Sequence, residues 1–428
     1  MTDLIRRVSN ATIDRHGAIQ RRDFLRTIGV GAAGLSMLGW QDLLLAAAPT
    51  LRQQGKSVIV LWMQGGPSHL ETFDPKPKAE GEAKSIGTAV PGIEIAEYWP
   101  QVAKQMKDIT LIRSMSNKEG NHQRATYQLH TGYIPGGTVR HPSFGSLVTK
   151  ELAPADFDLP GYVSIGGPAR GAGFLPVEYN PFQLGNPAKM PDNVDTIVPK
   201  QRFQRRLGLL NQLEGSSTKG GDDAMVSDHR TLYSKASTFS TSPKLGVFDI
   251  KDEPAALRQA YGDNRFGQGC LLARRLVETG TTYVEVTLGG WDTHFNHFEQ
   301  VSNLAEQCDP AFATLIADLK QRGMLDDTLV VWMGEFGRTP KLNGRGGRDH
   351  FPRAFNVALA GCGIEGGQVI GKTSDDASEV IEEPVSVVDL FATLCTRLGI
   401  DPHKENMSPL GRPMKIVDGG TPIESLLS

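Results

Sequence analysis

The sequence predicts an α/β protein: a three-layer α/β/α sandwich around a largely parallel central sheet. Apolar runs of strand length alternate with segments of helical periodicity along the chain, the signature of layered α/β folds. Most of those runs are nearly continuous in Val, Ile, Leu and Ala, as expected of strands covered by helices on both faces. Loops rich in Gly, His and acidic residues follow several of them, and open α/β sheets bind ligands beyond the carboxyl ends of their strands.

Residues 1–48 stand apart from this pattern. Arg21-Arg22-Asp23-Phe24-Leu25-Arg26 precedes a Gly/Ala/Leu-rich stretch from Ile28 to Ala48, broken by Ser36 and by Gln41-Asp42. Paired arginines, an apolar run and a small-residue exit are the parts of an export signal. The twin Arg before Phe-Leu resembles the twin-arginine class, so the protein is expected to be exported to the periplasm or beyond. Ala46-Ala47-Ala48 offers a cleavage region, with Pro49 unfavourable beside it. The mature chain, about 380 residues, is long enough to bury a sizeable core. No apolar run of membrane length follows Ala48, and no stable membrane span is expected in the mature form.

Within residues 49–428, strands are predicted at 57–63, 109–113, 162–165, 283–288, 328–333 and 355–360. Leu304, Cys308, Phe312, Leu315 and Leu319 keep one helical face apolar until Gly323. A second helix is expected from Pro384, with Val388, Phe391, Cys395 and Leu398 inward and Gly399 ending it. Residues 214–242 are dominated by Gly, Ser, Thr, Lys and Asp and read as an exposed polar insertion with a short helix near 228–236. At a net charge of −3 and a pI near 6.4 there is no electrostatic footprint for nucleic acid or an anionic membrane. Cys270, Cys308, Cys362 and Cys395 lack metal-ligand spacing and are expected to be buried thiols, although an oxidising compartment would permit a bridge and the sequence does not choose among three pairings.

His69, His122, His130, His141, His294, His297 and His350 sit in or beside polar segments that follow the strand-like runs. The densest group, Trp291-Asp292-Thr293-His294-Phe295-Asn296-His297, directly follows the run ending at Leu288. Imidazole and carboxylate gathered at strand ends suit a divalent-metal or acid–base site. Trp291 can stack on a sugar or fill the core, whereas Trp62 and Trp332 lie within strand runs and read as core.

Four segments, in order, resemble the alkaline phosphatase and sulfatase superfamily: 56–66 its opening strand, Gln123 to Tyr133 its Leu-x-Thr-Gly helix, 327–337 its late metal-binding turn, and 384–394 its closing helix. A closer resemblance is to the DUF1501 family of exported bacterial proteins. Its hallmarks stand here as Gly65-Gly66-Pro67-Ser68-His69, Thr72-Phe73-Asp74-Pro75-Lys76-Pro77, His141-Pro142-Ser143, 289–294, 334–340 and Gly347-Arg348-Asp349-His350. The resemblance implies an alkaline-phosphatase-like fold and chemistry on an anionic phosphate or sulfate ester, with carbohydrate-linked esters among the substrates it allows. The chain departs from the superfamily pattern where that chemistry is carried. Gln64 and Gly65 stand where paired Asp ligands are expected, His122 flanked by Asn121 stands at the nucleophile's place, and Glu335-Phe336 replaces Asp-His or Asp-Asn.

A rebuilt site is therefore expected, with Asp292, His294, His297, Glu335, Asp349 and His350 as candidate ligands for a divalent metal: zinc, or a harder ion such as calcium, magnesium or manganese. His122 and His350 are the candidate proton handlers, with His122 read as nucleophile, as base, or as a plain loop hydrogen-bonder. Arg338, Arg345 and Arg348 are the candidate anion binders, because guanidinium forks suit oxyanions. His69, Glu71 and Asp74 are secondary candidates on a stiff Asp-Pro-Lys-Pro exit. Two functions follow from this reading: an exported metal-dependent hydrolase of an anionic small molecule or carbohydrate ester, or a non-catalytic binding protein on the same fold.

Overall fold

The computed structural model describes residues 55–427 apart from 77, 82, 195–199 and 218–222. The expected export segment lies outside the described residues. At the centre is a nine-stranded sheet. Its strands, in chain order, are β1 (Ser57–Gln64), β2 (Thr110–Ser116), β3 (Tyr162–Ile165), β4 (Phe182–Leu184), β5 (Tyr283–Gly289), β6 (Thr328–Met333), β7 (Phe355–Ala360), β8 (Val369–Ile370) and β9 (Val385–Ser386). They lie in the order β8-β2-β7-β6-β1-β5-β3-β4, with β9 also paired to β2. Only β7 runs antiparallel to its neighbours, β2 and β6; every other pairing in the sheet is parallel.

Alternate residues of β1 enter two separate cores. Ile59, Leu61 and Met63 pack with helices α7 (Arg265–Thr279) and α8 (His297–Gln321) through Leu272, Cys308, Phe312 and Leu315. Val58, Val60 and Trp62 pack on the other face with α2 (His122–Thr131), α3 (Phe144–Leu152) and α9 (Val387–Leu398) through Leu129, Val148, Leu390 and Leu394. This is the three-layer sandwich expected. The period of two along a strand sends successive side chains to opposite faces, so a centrally placed strand must be apolar throughout. Trp291 belongs to the first core, fully buried and stacked on Trp99 at 6.3 Å. The remaining helices are α1 (Pro100–Lys104), α4 (Lys200–Ser217), α5 (Asp223–Ser240) and α6 (Ala255–Tyr261).

Two expectations change, and three short strands are added. The polar stretch carries a full helix, α5, in place of a short one, and α4 runs into it from upstream. Polar composition lowers burial without preventing backbone hydrogen bonding, which is why composition alone under-reads such helices. The closing helix begins at Val387, because Val385 and Ser386 pair with β2 and Ser386 forms a capping box with Asp389. The short edge strands β4, β8 and β9 are too brief to leave a signal in the sequence. No helix among the described residues is long and apolar enough to cross a membrane. All four cysteines are free and buried.

Candidate metal and acid–base site

Central strand β1 lies between β5 and β6, and the loops leaving the carboxyl ends of these three strands meet. Gly65 has φ of +118°, and a Cβ there would stand within 2.7 Å of the Trp291 carbonyl carbon and nearer still to the Asp292 amide. The β1 and β5 loops are thus in backbone contact, which only glycine permits. The Gly65 amide donates to both Glu335 oxygens, at 2.9 and 3.1 Å, tying in the loop after β6. His350 arrives on a two-residue strand pairing antiparallel with Gly337–Arg338, opposite Arg338. His122 is the first residue of α2, whose N-terminus is capped by Asn121 accepting from the Arg124 amide at 3.3 Å.

These elements bring four side chains to one point. Asp292 Oδ1 lies 3.2 Å from His122 Nε2, 3.2 Å from His294 Nε2 and 3.3 Å from His350 Nε2. His294 Nε2 and His350 Nε2 are 3.0 Å apart. The other nitrogen of each ring is held from outside. His122 Nδ1 is 2.7 Å from Glu335 Oε1, His294 Nδ1 is 2.8 Å from Asp349 Oδ1, and His350 Nδ1 is 2.8 Å from the Gly120 carbonyl oxygen. A carbonyl can only accept, so His350 carries its proton on Nδ1, and the two carboxylates favour the same tautomer in His294 and His122. The Nε2 lone pairs of the neutral rings then all face the Asp292 oxygen and one another. His122 Nε2 is buried without a hydrogen-bond partner among the described residues, since its approach to Asp292 lacks hydrogen-bond geometry. Convergent lone pairs of this kind call for a cation at their centre, either a proton or a metal ion.

The donors fit a metal. Metal-ligating histidines characteristically give their second N–H to a carboxylate or backbone carbonyl. The triangle of Asp292 Oδ1, His294 Nε2 and His350 Nε2 has edges of 3.0, 3.2 and 3.3 Å. Tetrahedral bonds of roughly 2.0–2.1 Å place ligand atoms about 3.3 Å apart. Donor atoms of His122, Asp292 and His350 also lie within 4.8 Å of one another.

Burial disfavours the charge on Asp292, but Arg338, His122 and His294 outweigh it and hold its pKa down to about 2. The Glu335 hydrogen bond raises His122 above the ordinary histidine value, against burial and with help from Asp292. Burial lowers His350, opposed by the Gly120 carbonyl.

Several sequence candidates fall elsewhere. Glu335 and Asp349 stand behind the cluster, orienting His122 and His294. His297 is turned into the protein, with Nε2 2.9 Å from Glu71 Oε2 and Nδ1 2.7 Å from Thr293 Oγ1; both nitrogens are committed, so it is no ligand. Arg338 is fully buried, spanning Asp292 and the Gly65, Gly66 and Arg348 carbonyls. Arg348 is likewise buried against Glu71 and the Thr339, Pro340 and Glu80 carbonyls. These two arginines brace loops and present no fork to a ligand, and Arg345 is exposed. Asp74 is buried against Lys76, Arg113 and Thr373. His69 is buried with Nε2 3.2 Å from the Ala377 carbonyl. Both serve the scaffold.

Residue patterns gave no sign of the cavity in front of the cluster. It measures about 560 Å³ and is lined by Trp62, His122, His130, Arg170, Asp292 and Glu335 among others. His130 closes its floor by pairing with Glu285, fully buried in β5, at 3.3 Å. The available signals were Glu285 as a lone carboxylate inside an apolar run, and Arg170 as a cation in the loop that follows β3.

The family described as "Protein of unknown function (DUF1501)" matches residues 55–427. No curated protein matches the sequence. Among solved structures, the PsFucS1 sulfatase from Pseudoalteromonas sp. is similar at 15% identity and a TM-score of 0.39, over 84% of this chain and 70% of that one. The lipoteichoic acid synthase LtaP from Listeria monocytogenes is similar at 11% identity and a TM-score of 0.40, over 87% and 76%. A protein in the alkaline phosphatase superfamily from Vibrio parahaemolyticus is similar at 11% identity and a TM-score of 0.35, over 81% and 67%. At these identities and scores no activity carries over to this chain.

Proposed function

This chain belongs to the DUF1501 family, whose description states no activity, and from that premise we propose that it is a metal-dependent hydrolase of an anionic phosphate or sulfate ester. One observation carries the reading: the triangle of Asp292 Oδ1, His294 Nε2 and His350 Nε2, with both imidazole Nδ1 atoms held from behind, beside a cavity lined by His122 and Asp292. Asp292, His294 and His350 would hold the ion, and this nitrogen-rich donor set suits zinc better than calcium or magnesium. A divalent ion in such a site supplies Lewis-acid polarisation and acidified water.

His122 handles the proton. Glu335 keeps the Nδ1 proton in place, and Nε2 faces the site, free to accept a proton and to return it to a leaving group. Arg338 holds Asp292 in position and keeps it ionised. The ester class follows the sequence resemblance to the alkaline phosphatase and sulfatase superfamily. Export by the twin-arginine route, which carries folded and often cofactor-loaded proteins, agrees with a metal bound before transport; Arg21→Lys with Arg22→Lys should trap the protein in the cytoplasm on fractionation.

The experiment is elemental analysis of the gently isolated protein with a turnover panel of aryl phosphates, phosphodiesters and aryl sulfates. Close to one transition-metal ion per chain is expected, lost in His350→Ala and Asp292→Ala, whereas His122→Ala should keep the metal and lose turnover. Protein that holds no metal, and takes up none from added zinc, overturns the reading. A non-catalytic binding protein on the same fold is favoured by Gln64 and Gly65 at the strand end where metal-ligating acids are expected. Metal without His122-dependent turnover across the panel would select it.

A further inference from the structure

The cavity beside the metal and acid–base site contains two carboxylates, Asp292 and Glu335, and one arginine, Arg170. Arg170 lies in the loop after β3, on the far side of β5 from the loop of β1. Its Nη2 donates to the Gln123 carbonyl at 3.2 Å, and its guanidinium carbon stands 5.1 Å from the centre of the Tyr127 ring. Both contacts are with α2, so the fork is fixed against the helix. The Nε–H is buried and has no partner among the described residues. Nη1 also has no partner among the described residues but is not enclosed by protein atoms, so it is the donor a ligand in the cavity can reach.

A second feature converges on the same place. The first turn of α2 faces the cavity, through His122, Gln123 and Thr126. The helix N-terminus carries the positive end of its dipole and favours anions there. No acidic residue stands in that first turn. Asp292 and Glu335 border the metal end, where His122 opens α2, and Arg170 stands beside Gln123 and Tyr127 further along the same helix. Arg338 and Arg348, the arginines nearest the cluster in sequence, are occupied by internal carbonyls and carboxylates.

We infer that Arg170, with the N-terminus of α2, is the anion subsite of this cavity and receives a tetrahedral oxyanion, the phosphoryl or sulfuryl group of the substrate. The inference rests on the reading of the cavity as the reaction site, and it selects Arg170 over the three arginines that sequence alone suggested. Bidentate pairing of a guanidinium with an oxyanion supplies both charge and orientation. With Nη2 already directed to Gln123 and Nε enclosed, Nη1 is the donor left for the ligand.

The test is calorimetric titration of the full chain, with its metal as isolated, using inorganic phosphate and inorganic sulfate in separate arms. Wild type, Arg170→Gln and Arg170→Lys are compared, with metal content and the far-ultraviolet spectrum measured for each. Arg170→Gln should weaken binding of whichever oxyanion the wild type takes by roughly tenfold to a hundredfold. Arg170→Lys should recover part of the loss, and metal content should be unchanged in both. Wild type that binds neither anion, or Arg170→Gln that binds as wild type does, overturns the subsite. The two readings fail separately. Arg170-dependent binding in protein without metal upholds the subsite and rejects the hydrolase, whereas metal with Arg170-independent binding does the reverse. If the spectrum shows that Arg170→Gln misfolds, Arg170→Lys decides alone: weakened binding supports the subsite, unchanged affinity counts against it.

Discussion

His294 Nε2 and His350 Nε2 face each other at 3.0 Å, and in their neutral forms neither ring has a proton to place between them, because Asp349 and the Gly120 carbonyl draw the protons to Nδ1. The contact is stable only with a cation shared among these atoms and Asp292. Metal binding should therefore be coupled to fold stability. With free zinc at a hundredfold excess over its dissociation constant, the folded state gains about 2.7 kcal/mol. Thermal denaturation with zinc and with chelator should show this shift in wild type and no shift in His350→Ala; equal melting in both conditions for wild type would remove the coupling.

The residues behind the rings should matter nearly as much as the donors. Asp349→Asn removes the carboxylate that orients His294 while leaving a group that can still accept from Asn343. Such partners are typically worth about 10–100-fold in metal affinity. Competition against a chromophoric chelator should show a loss of that size in a variant whose melting with chelator matches wild type. Unchanged affinity would mean that His294 needs no help to hold its pose.

Glu71 should govern acid sensitivity. It is buried between His297, at 2.9 Å, and Arg348, at 2.7 Å. Burial alone would raise its pKa, but these partners outweigh it and hold the carboxyl from an ordinary 4.5 down to about 2. The folded value lies below the unfolded one, so the stabilisation is present above about pH 4.5 and is lost as pH falls towards 2, amounting to about 3 kcal/mol. Glu71→Gln should be less stable at neutral pH by roughly 3–5 kcal/mol, since it leaves Arg348 uncompensated. Its denaturant midpoint should also change less than that of wild type between pH 5 and pH 3. Parallel acid profiles in the two proteins would show that other carboxyls carry the effect.

Gly65→Ala tests the close approach of the two loops. Its φ of +118° is strained for any side chain, and a Cβ would press on Trp291 and Asp292. Gly92, at φ of +84° with nothing within 4 Å of its Cβ position, is the control. Backbone strain is expected to cost about 1–3 kcal/mol at either site, but only Gly65→Ala should also displace Asp292 and lower metal content. Equal metal content in both variants would show that the Asp292 loop yields to the intrusion.

Much of the architecture is legible in the amino-acid sequence. Six predicted strands correspond to β1, β2, β3, β5, β6 and β7, because a strand buried on both faces needs an unbroken apolar run and leaves that run in the sequence. The rule that ligands gather past strand ends located Asp292, His294 and His350, which do meet, and Glu335, which holds His122 from behind. It also points to the loop carrying Arg170, but the neighbours of that residue, Gly166-Gly167-Pro168-Ala169, carry no titratable group that would single it out. The helix over 223–240 is under-read because polar residues leave no apolar stripe to count.

By itself, the order of residues determined the layers, the strand ends and the set of side chains available to a site. Folding decided which of those side chains face one another. His294 and His297 are three residues apart, one in the loop after β5 and the other opening α8, yet one looks into the cluster and the other towards Glu71, 226 positions away in the chain. Arg338 and Arg348, the anion binders the sequence suggested, became internal braces. The physical reason is that apolar periodicity is local and written in neighbours. The direction of a polar side chain is set by the partner that desolvates and satisfies it, and that partner comes from a distant segment brought close only in the folded chain.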